Sequence, residues 1–123
     1  MNGINWHASE DTPRIVLDKV NGIFEITGRS LPEDAAKFYS PVLDWLKAYS
    51  KDCNPATNLI LNLEYFNTSS SKIIFELLTI LEKIKNAKII WCHFDDDADI
   101  LEAGLEFSEL VNITFEFKKI CTS

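Results

Sequence analysis

The sequence has few of the residues that build disulfide, metal or phosphate-binding frameworks. Its three cysteines, Cys53, Cys92 and Cys121, are widely separated and form no CxxC pair. We therefore expect free, buried thiols and predict neither a disulfide framework nor a zinc site. Its four glycines form neither GxGxxG nor the GxxxxGKS/T pattern with which a backbone cradles phosphates. Nucleotide catalysis is not supported, and no cofactor is predicted.

Positive charge and long apolar runs are also scarce. Only two arginines occur, and 19 acidic residues against 12 basic ones give a formal net charge of −7. This charge repels phosphate backbones and anionic lipid, so nucleic acid and membrane surfaces are poor partner candidates. No run reaches the roughly 18 to 20 apolar residues that span a bilayer, and the N-terminal segment lacks the basic and apolar blocks of a signal peptide. We expect a cytoplasmic protein.

The remaining composition fits one ordinary domain over residues 1–123. With 46% apolar and 25% charged residues, a chain of this length can bury a core without metals or disulfides. Two short runs, 15–17 and 23–26, flank Asn21-Gly22, a strong signal for a hairpin turn. Ser30 lies three residues before Glu33, the spacing of a capping box, and predicts that a helix starts there. Pro41 falls inside this helix and predicts a kink or a split.

The later segments alternate between strand and helix patterns. Residues 59–66 read as a strand with Tyr65 on the same buried side as the leucines, and further strands are predicted at 88–94 and 113–118. One helix follows the first of these strands, and another begins in the DDDAD run. Short connections favour right-handed crossovers and parallel pairing. We therefore predict an α/β fold: a single two-layer domain, with a mixed sheet of about five strands, built from the N-terminal hairpin and parallel βαβ units, and about three main helices on one face.

Two sets of reactive side chains have simpler explanations than catalysis or metal binding. Serines 69–71 with His93 and Asp95 supply the residue types of a hydrolytic triad, but no GxSxG elbow surrounds a serine. A small Ser/His hydrolase remains an alternative. Acidic residues within 95–106 have the spacing of a calcium-binding loop, but Ile100 occupies the position that requires glycine. Aspartates cap and stabilise a helix N-terminus, so a helix start is predicted there instead of a metal site.

Four consecutive hydroxyl side chains, Thr68, Ser69, Ser70 and Ser71, precede the second predicted helix. Either Asn67 or one of these hydroxyls should cap that helix, and capping accounts for only one or two of them. A phosphoryl group would be tolerated here, because the unpaired amides and the helix dipole, equivalent to about +0.5 charge, both favour an anion. The residues alone leave open whether the cluster is only a helix cap or also a regulatory phosphorylation site.

Three stretches carry a resemblance to a known family: FEITGRSLPEDAAKFYSPVLDWLKAY, LNLEYFNTSSSK and DADILEAGLEFSELV. Together they resemble the SiaC family of bacterial regulatory phosphoproteins over about residues 15–117, and LEYFNTSSSK is the most specific of the shared motifs. The resemblance implies a fold similar to STAS-type anti-sigma factor antagonists. It also implies a switch protein that a dedicated kinase phosphorylates on threonine and a PP2C-type phosphatase resets. In the best-known system of this family, the unphosphorylated protein activates a diguanylate cyclase, an enzyme of c-di-GMP signalling.

Carried over to this sequence, the resemblance makes Thr68 the phosphoacceptor. Ser69, Ser70 and Ser71 become capping neighbours or alternative acceptors. Arg29 is a candidate to pair with the phosphate or with a carboxylate of a partner. The expected partners are the kinase, the phosphatase and an output protein, and the protein itself is expected not to be an enzyme. A constitutive binding domain without a switch is the alternative. The expected docking residues precede the acceptor: Tyr65, Phe66 and Asn67.

Overall fold

The computed structural model describes residues 2–120, which form six strands and three helices in one mixed α/β domain. Within these residues no helix is long and apolar enough to cross a membrane. The strands are β1 (Ile4–Trp6), β2 (Arg14–Asp18), β3 (Ile23–Ser30), β4 (Thr57–Phe66), β5 (Ala87–Phe94) and β6 (Thr114–Ile120). The helices are α1 (Ala35–Ser50), α2 (Thr68–Leu81) and α3 (Ala98–Leu110).

The strands lie in the sheet in their order along the chain, from β1 to β6. The β2–β3 hairpin is antiparallel and confirms the turn predicted at Asn21-Gly22. β3 to β6 pair in parallel, and a helix connects each to the next. Right-handed crossovers between successive neighbours place all three helices on one face. The prediction of about five strands was one too few, because β1 adds an antiparallel edge strand beside β2.

The core lies between this face of the sheet and the buried sides of the helices. Its largest fully buried side chains include Trp91, Tyr39, Tyr49, Leu61 and Leu77. The apolar positions at helical spacing in α2 and α3, among them Ile74, Leu77, Ile100 and Phe107, are buried. As predicted, α3 begins in the acidic run, where Asp97 caps it. Cys92 is buried as predicted, whereas Cys53 is only half-buried. Cys121 lies outside the described residues.

The predicted start of α1 was wrong. Asp34, not Ser30, caps the helix, and its carboxylate accepts a hydrogen bond of 3.1 Å from the Lys37 amide. Ser30 instead ends β3, where its side chain is fully buried and bonded elsewhere. The helix also continues through Pro41 as one element, so the chain does not split there.

The predicted side of Tyr65 was also wrong. β4 alternates buried residues with exposed or half-buried ones up to Leu63. The β3–β4 register then shifts, with Gly28 opposite Leu63 and Arg29 opposite Tyr65. The irregularity inserts an extra residue, Glu64, and reverses the alternation that follows. Tyr65 is consequently 53% exposed, and the next residue turns towards the core.

Candidate functional site

The hydroxyl cluster lies at the edge of the sheet where the parallel strands have their carboxyl ends. β4 ends at Phe66, Asn67 follows, and α2 begins at Thr68. The side chain of Asn67 accepts a hydrogen bond of 2.9 Å from the Ser70 amide, and its carbonyl accepts one of 2.9 Å from the Ser71 amide. Asn67 is therefore the N-cap, as one of the two sequence alternatives predicted. None of the four hydroxyls at residues 68–71 is therefore needed as the N-cap.

The four hydroxyl residues differ in their surroundings. Thr68 and Ser69 are exposed and Ser71 is half-buried, while Ser70 has no exposed surface. Thr68 is the first residue of the helix, beside the amides that lack intrahelical acceptors. Its hydroxyl-bearing side chain is thus presented to solvent in a region where partial positive charge favours an anion.

Ser70 belongs to a buried chain of hydroxyls that joins three elements. The Tyr39 and Ser30 hydroxyl oxygens lie 2.5 Å apart; Ser30 donates to the Ser70 hydroxyl at 2.8 Å, and Ser70 donates to the Ser30 carbonyl at 3.0 Å. Each hydroxyl has one proton, so Tyr39 must donate to Ser30. The Tyr39 phenol keeps that proton at neutral pH, because its ordinary pKa is about 10 and burial raises the pKa further. Ser70 therefore offers a kinase no accessible hydroxyl in this conformation.

The predicted docking residues are arranged less uniformly than the sequence indicated. Tyr65 is exposed and Arg29 is exposed opposite it on β3, so both are available at this edge. Phe66 is half-buried, with its ring 6.3 Å from that of Trp91 and 6.4 Å from that of Phe107. Asn67 is half-buried and occupied as the helix cap. The structure brings Tyr65 and Arg29 together on the surface and directs Phe66 towards the core.

An open groove of about 1270 Å³ extends between the first turns of α1 and α2. Phe38 and Ile73 contribute apolar surface, and Ser69, the neighbour of Thr68, lines the same groove. Its charged residues are Asp11, Glu33, Asp34, Lys37, Lys72 and Glu76.

Sequence reasoning missed this groove and the contribution of Ser30 and Tyr39. Of the two neighbouring aromatic residues in the first turns of α1, Tyr39 is fully buried and Phe38 is only half-buried. The available signal for the burial of Tyr39 was its helical spacing. It lies four residues after Ala35, on the face that continues to Val42 and Leu46.

The alternative constellations do not assemble into sites. Within residues 2–120 no hydrogen bond joins His93 to the serines at 69–71, and its Nδ1 lies 3.1 Å from the carbonyl of Phe94. In the acidic run, Asp97 accepts a bond of 3.1 Å from the Ile100 amide, and Ile100 lies in the first turns of α3. The segment is thus used as a helix start.

The sequence profile of the SiaC family regulatory phosphoproteins matches residues 6–120 of this chain. The chain belongs to the SiaC family. The resemblance noted in the sequence is thereby confirmed, and the match includes the hydroxyl cluster 68–71, the three helices and all strands beyond β1.

One curated protein and solved structures of SiaC extend the comparison. The chain is 27% identical over 119 residues to an uncharacterized protein of Pseudomonas aeruginosa (strain UCBPP-PA14), covering 94% of each chain. It is similar to the crystal structure of apo-SiaC from Pseudomonas aeruginosa, with 27% identity, a TM-score of 0.87 and coverage of 96% of this chain and 99% of that chain. It is also similar to SiaC in the crystal structure of the diguanylate cyclase SiaD in complex with its activator SiaC from the same organism. There the identity is 26%, the TM-score 0.89 and the coverage 95% and 99%.

Proposed function

We propose that this protein is a cytoplasmic, non-enzymatic signalling switch whose state is set at Thr68. A partner kinase phosphorylates Thr68 and a PP2C-type phosphatase removes the phosphoryl group. The state of Thr68 then controls binding to, and activation of, an output protein such as a diguanylate cyclase. The observation that carries the proposal is the exposure of Thr68 at the first position of α2, in a chain that belongs to a family of regulatory phosphoproteins.

The local chemistry supports a modification that leaves the fold intact. The kinase transfers the γ-phosphoryl group of ATP to the Thr68 hydroxyl oxygen, which loses its proton, and ADP leaves. The added charge of about −1.5 to −2 lies at a helix N-terminus, where amides and the dipole stabilise it. Because Thr68 is exposed, no core contact has to break. The modification is therefore read by whatever docks on this surface.

The output partner is inferred from the family and from the surface beside Thr68. SiaC of Pseudomonas aeruginosa forms a complex with the diguanylate cyclase SiaD as its activator. In this chain the groove lined by Phe38, Ser69 and Ile73 offers apolar contact area next to the acceptor. A phosphoryl group at this rim adds anionic charge, which weakens binding of an acidic partner and strengthens binding of a basic one.

The test is to compare the affinity of two forms of the protein for a diguanylate cyclase from the same host by calorimetry. One form is unmodified and the other has phosphothreonine at position 68. We expect the dissociation constants to differ by about tenfold or more, equivalent to about 1.4 kcal/mol. Phosphothreonine at position 114 is the matched control. Thr114 is exposed at the start of β6, on the opposite edge of the sheet, and its modification should leave the affinity unchanged.

Equal affinity of the unmodified and phosphothreonine-68 proteins would support the constitutive binding domain instead. The hydrolase alternative is tested separately, by replacing His93. This residue is half-buried on β5, and its Nδ1 atom lies beside the carbonyl of Phe94. His93→Ala should leave binding of the cyclase intact if this side chain only packs.

A further inference from the structure

The buried hydroxyl chain from Tyr39 to Ser70 ends two residues from Thr68. Its last two hydrogen bonds attach the first turn of α2 to Ser30, the last residue of β3. A backbone bond of 3.2 Å from the Asn67 amide to the Ser30 carbonyl strengthens the same junction. The segment that carries Thr68 is therefore held to the sheet on both sides of the acceptor, through residues 67 and 70.

A second tyrosine of α1 shows what a purely structural hydroxyl pair looks like in this fold. The Tyr49 hydroxyl lies 2.7 Å from that of Thr57 and accepts a bond of 3.1 Å from the Asn54 amide. This pair is as buried as Tyr39 and Ser30, but it lies at the other end of α1 and joins the helix to the start of β4. The Tyr39 chain differs because it includes a residue of the acceptor turn.

We propose that the Tyr39–Ser30–Ser70 chain is a positioning device for phosphorylation of Thr68. It anchors the first turn of α2 so that the Thr68 hydroxyl is held at a fixed place at the helix mouth. It also withdraws the Ser70 hydroxyl from the kinase, which restricts modification to the exposed part of the motif. The inference rests on the proposed function, since it assigns residues that act through Thr68.

The first measurement needs no kinase. Hydrogen exchange by NMR at the amides of Ser70 and Ser71 reports opening of the first turn, because both amides bond to Asn67. Tyr39→Phe removes the donor at the start of the chain, and Ser70→Ala removes both anchoring bonds. We expect exchange at these two amides to rise by about tenfold in each variant, beyond any change in global stability. Tyr49→Phe loses two hydrogen bonds far from Thr68. In this variant, exchange at the two amides should change only as much as the change in global stability requires.

The second measurement is the rate of Thr68 phosphorylation by the kinase of the native host. Positioning predicts that kcat falls by about tenfold in Tyr39→Phe and Ser70→Ala while KM is unchanged, because the outer surface that docks the kinase is intact. Tyr49→Phe should retain the wild-type kcat. Phosphopeptide mapping of Tyr39→Phe should also detect modification of Ser70, which stays unmodified in the wild type.

The outcomes that overturn the inference are distinct from those that overturn the proposed function. If Tyr39→Phe behaves as Tyr49→Phe in both exchange and kcat, the hydroxyl chain is only structural and the switch at Thr68 stands. If the wild-type protein is never phosphorylated on Thr68, the proposed function fails. The positioning function then fails with it, even where the exchange result is as expected.

Discussion

At the scale of single residues, the hydroxyl cluster 68–71 combines an exposed residue, Thr68, with a buried one two positions away. Successive residues in an α-helix are separated by about 100°, so residues 68 and 70 point in nearly opposite directions. Thr68 is consequently exposed and Ser70 is bonded to Ser30 in the interior. The motif thus contains both a candidate acceptor and the anchor that holds it.

The buried phenol of Tyr39 predicts a specific alkaline lability. Burial raises its pKa in the folded state, whereas the unfolded phenol ionises at about pH 10. The stability that this residue contributes is therefore present below about pH 10 and is lost as the pH rises towards the folded pKa. In urea titrations between about pH 9 and 11, the free energy of unfolding should fall more steeply for the wild type than for Tyr39→Phe.

Tyr65→Phe is the matched control for that prediction, because Tyr65 is exposed and lies outside the hydroxyl chain. Its pH profile should follow that of the wild type. Parallel slopes for wild type and Tyr39→Phe would show that the Tyr39 phenol does not contribute to the alkaline loss.

Gly104 allows α3 to lie directly on the indole of Trp91. A Cβ at this position would lie 2.5 Å from Trp91 Nε1 and 2.6 Å from its Cδ1, and the indole is held by a bond of 2.9 Å to the Ile100 carbonyl. Alanine favours a helix over glycine by about 1 kcal/mol, but overpacking against a rigid ring costs more. Gly104→Ala should therefore lower the free energy of unfolding by about 1 to 2 kcal/mol in urea denaturation.

Glu106→Ala, at an exposed position of the same helix, should stay within about 0.5 kcal/mol of the wild type. A Gly104→Ala variant as stable as this control would contradict the close contact between α3 and Trp91.

At the scale of elements, all three helices begin with an amide-bearing or acidic cap at the same edge of the sheet. Asp34, Asn67 and Asp97 each accept a bond of about 3 Å from the amide three residues on. Replacement of each cap by alanine should cost about 1 kcal/mol of stability, measured by urea denaturation. Asn67→Ala should in addition lower the rate of Thr68 phosphorylation, because Asn67 holds the turn that presents the acceptor.

Asp97→Ala provides the control, since it removes an equivalent cap from the neighbouring helix. If Asn67→Ala and Asp97→Ala are equally stable and are phosphorylated at the same rate, the cap of α2 has no influence on phosphorylation of Thr68.

Pro41 lies in the seventh position of α1 and on its exposed side. It lacks the amide that would bond to the carbonyl of Lys37, so the helix loses one internal bond. Pro41→Ala should restore that bond and raise the free energy of unfolding by about 1 to 3 kcal/mol in urea denaturation. Ser40→Ala, at the exposed neighbouring position, should gain no more than about 0.5 kcal/mol. A Pro41→Ala variant no more stable than Ser40→Ala would mean that α1 has adapted fully to the proline.

Local patterns predicted the helices and the parallel strands, because amphipathic spacing and turn residues are properties of neighbouring positions. The misassigned residues are those whose surroundings are set by distant parts of the chain. Ser30 has the spacing of a helix cap, but its side chain bonds to Ser70, 40 residues away. Tyr65 faces solvent because of a register shift opposite Gly28. β1 has three residues and depends on pairing with β2, so its own pattern was too short to recognise.

At the scale of the whole molecule, the topology gathers the helix N-termini at one edge. β3, β4 and β5 are parallel and each is followed by a helix, so the three caps and Thr68 all lie where these strands end. This arrangement combines three positive dipole ends with exposed acidic residues such as Glu33 and Asp96. A partner that docks at this edge therefore encounters a mixed field, which the charge of a phosphoryl group would shift towards negative.

The candidate site could be located from the sequence, but its internal organisation could not. The cluster of hydroxyls at a strand-to-helix junction was evident from residue types, with Asn67 as one of two alternatives for the helix cap. Only the family resemblance singled out Thr68 within it. That Thr68 is exposed while Ser70 is buried depends on where the helix begins and on the contact of Ser70 with β3. The groove beside Ser69 depends on how α1 and α2 pack, which no local pattern specifies.

The most direct test of the account is the mass of the intact protein, purified from its native host under conditions that change its signalling state. The account predicts that a fraction carries one added phosphoryl group, about 80 Da, that fragmentation places it on Thr68, and that Thr68→Ala abolishes it while Thr114→Ala does not. Two results would contradict the claim that Thr68 is the switch. One is a wild-type protein that stays unmodified under all conditions, and the other is a Thr68→Ala variant that carries as much phosphate as the wild type.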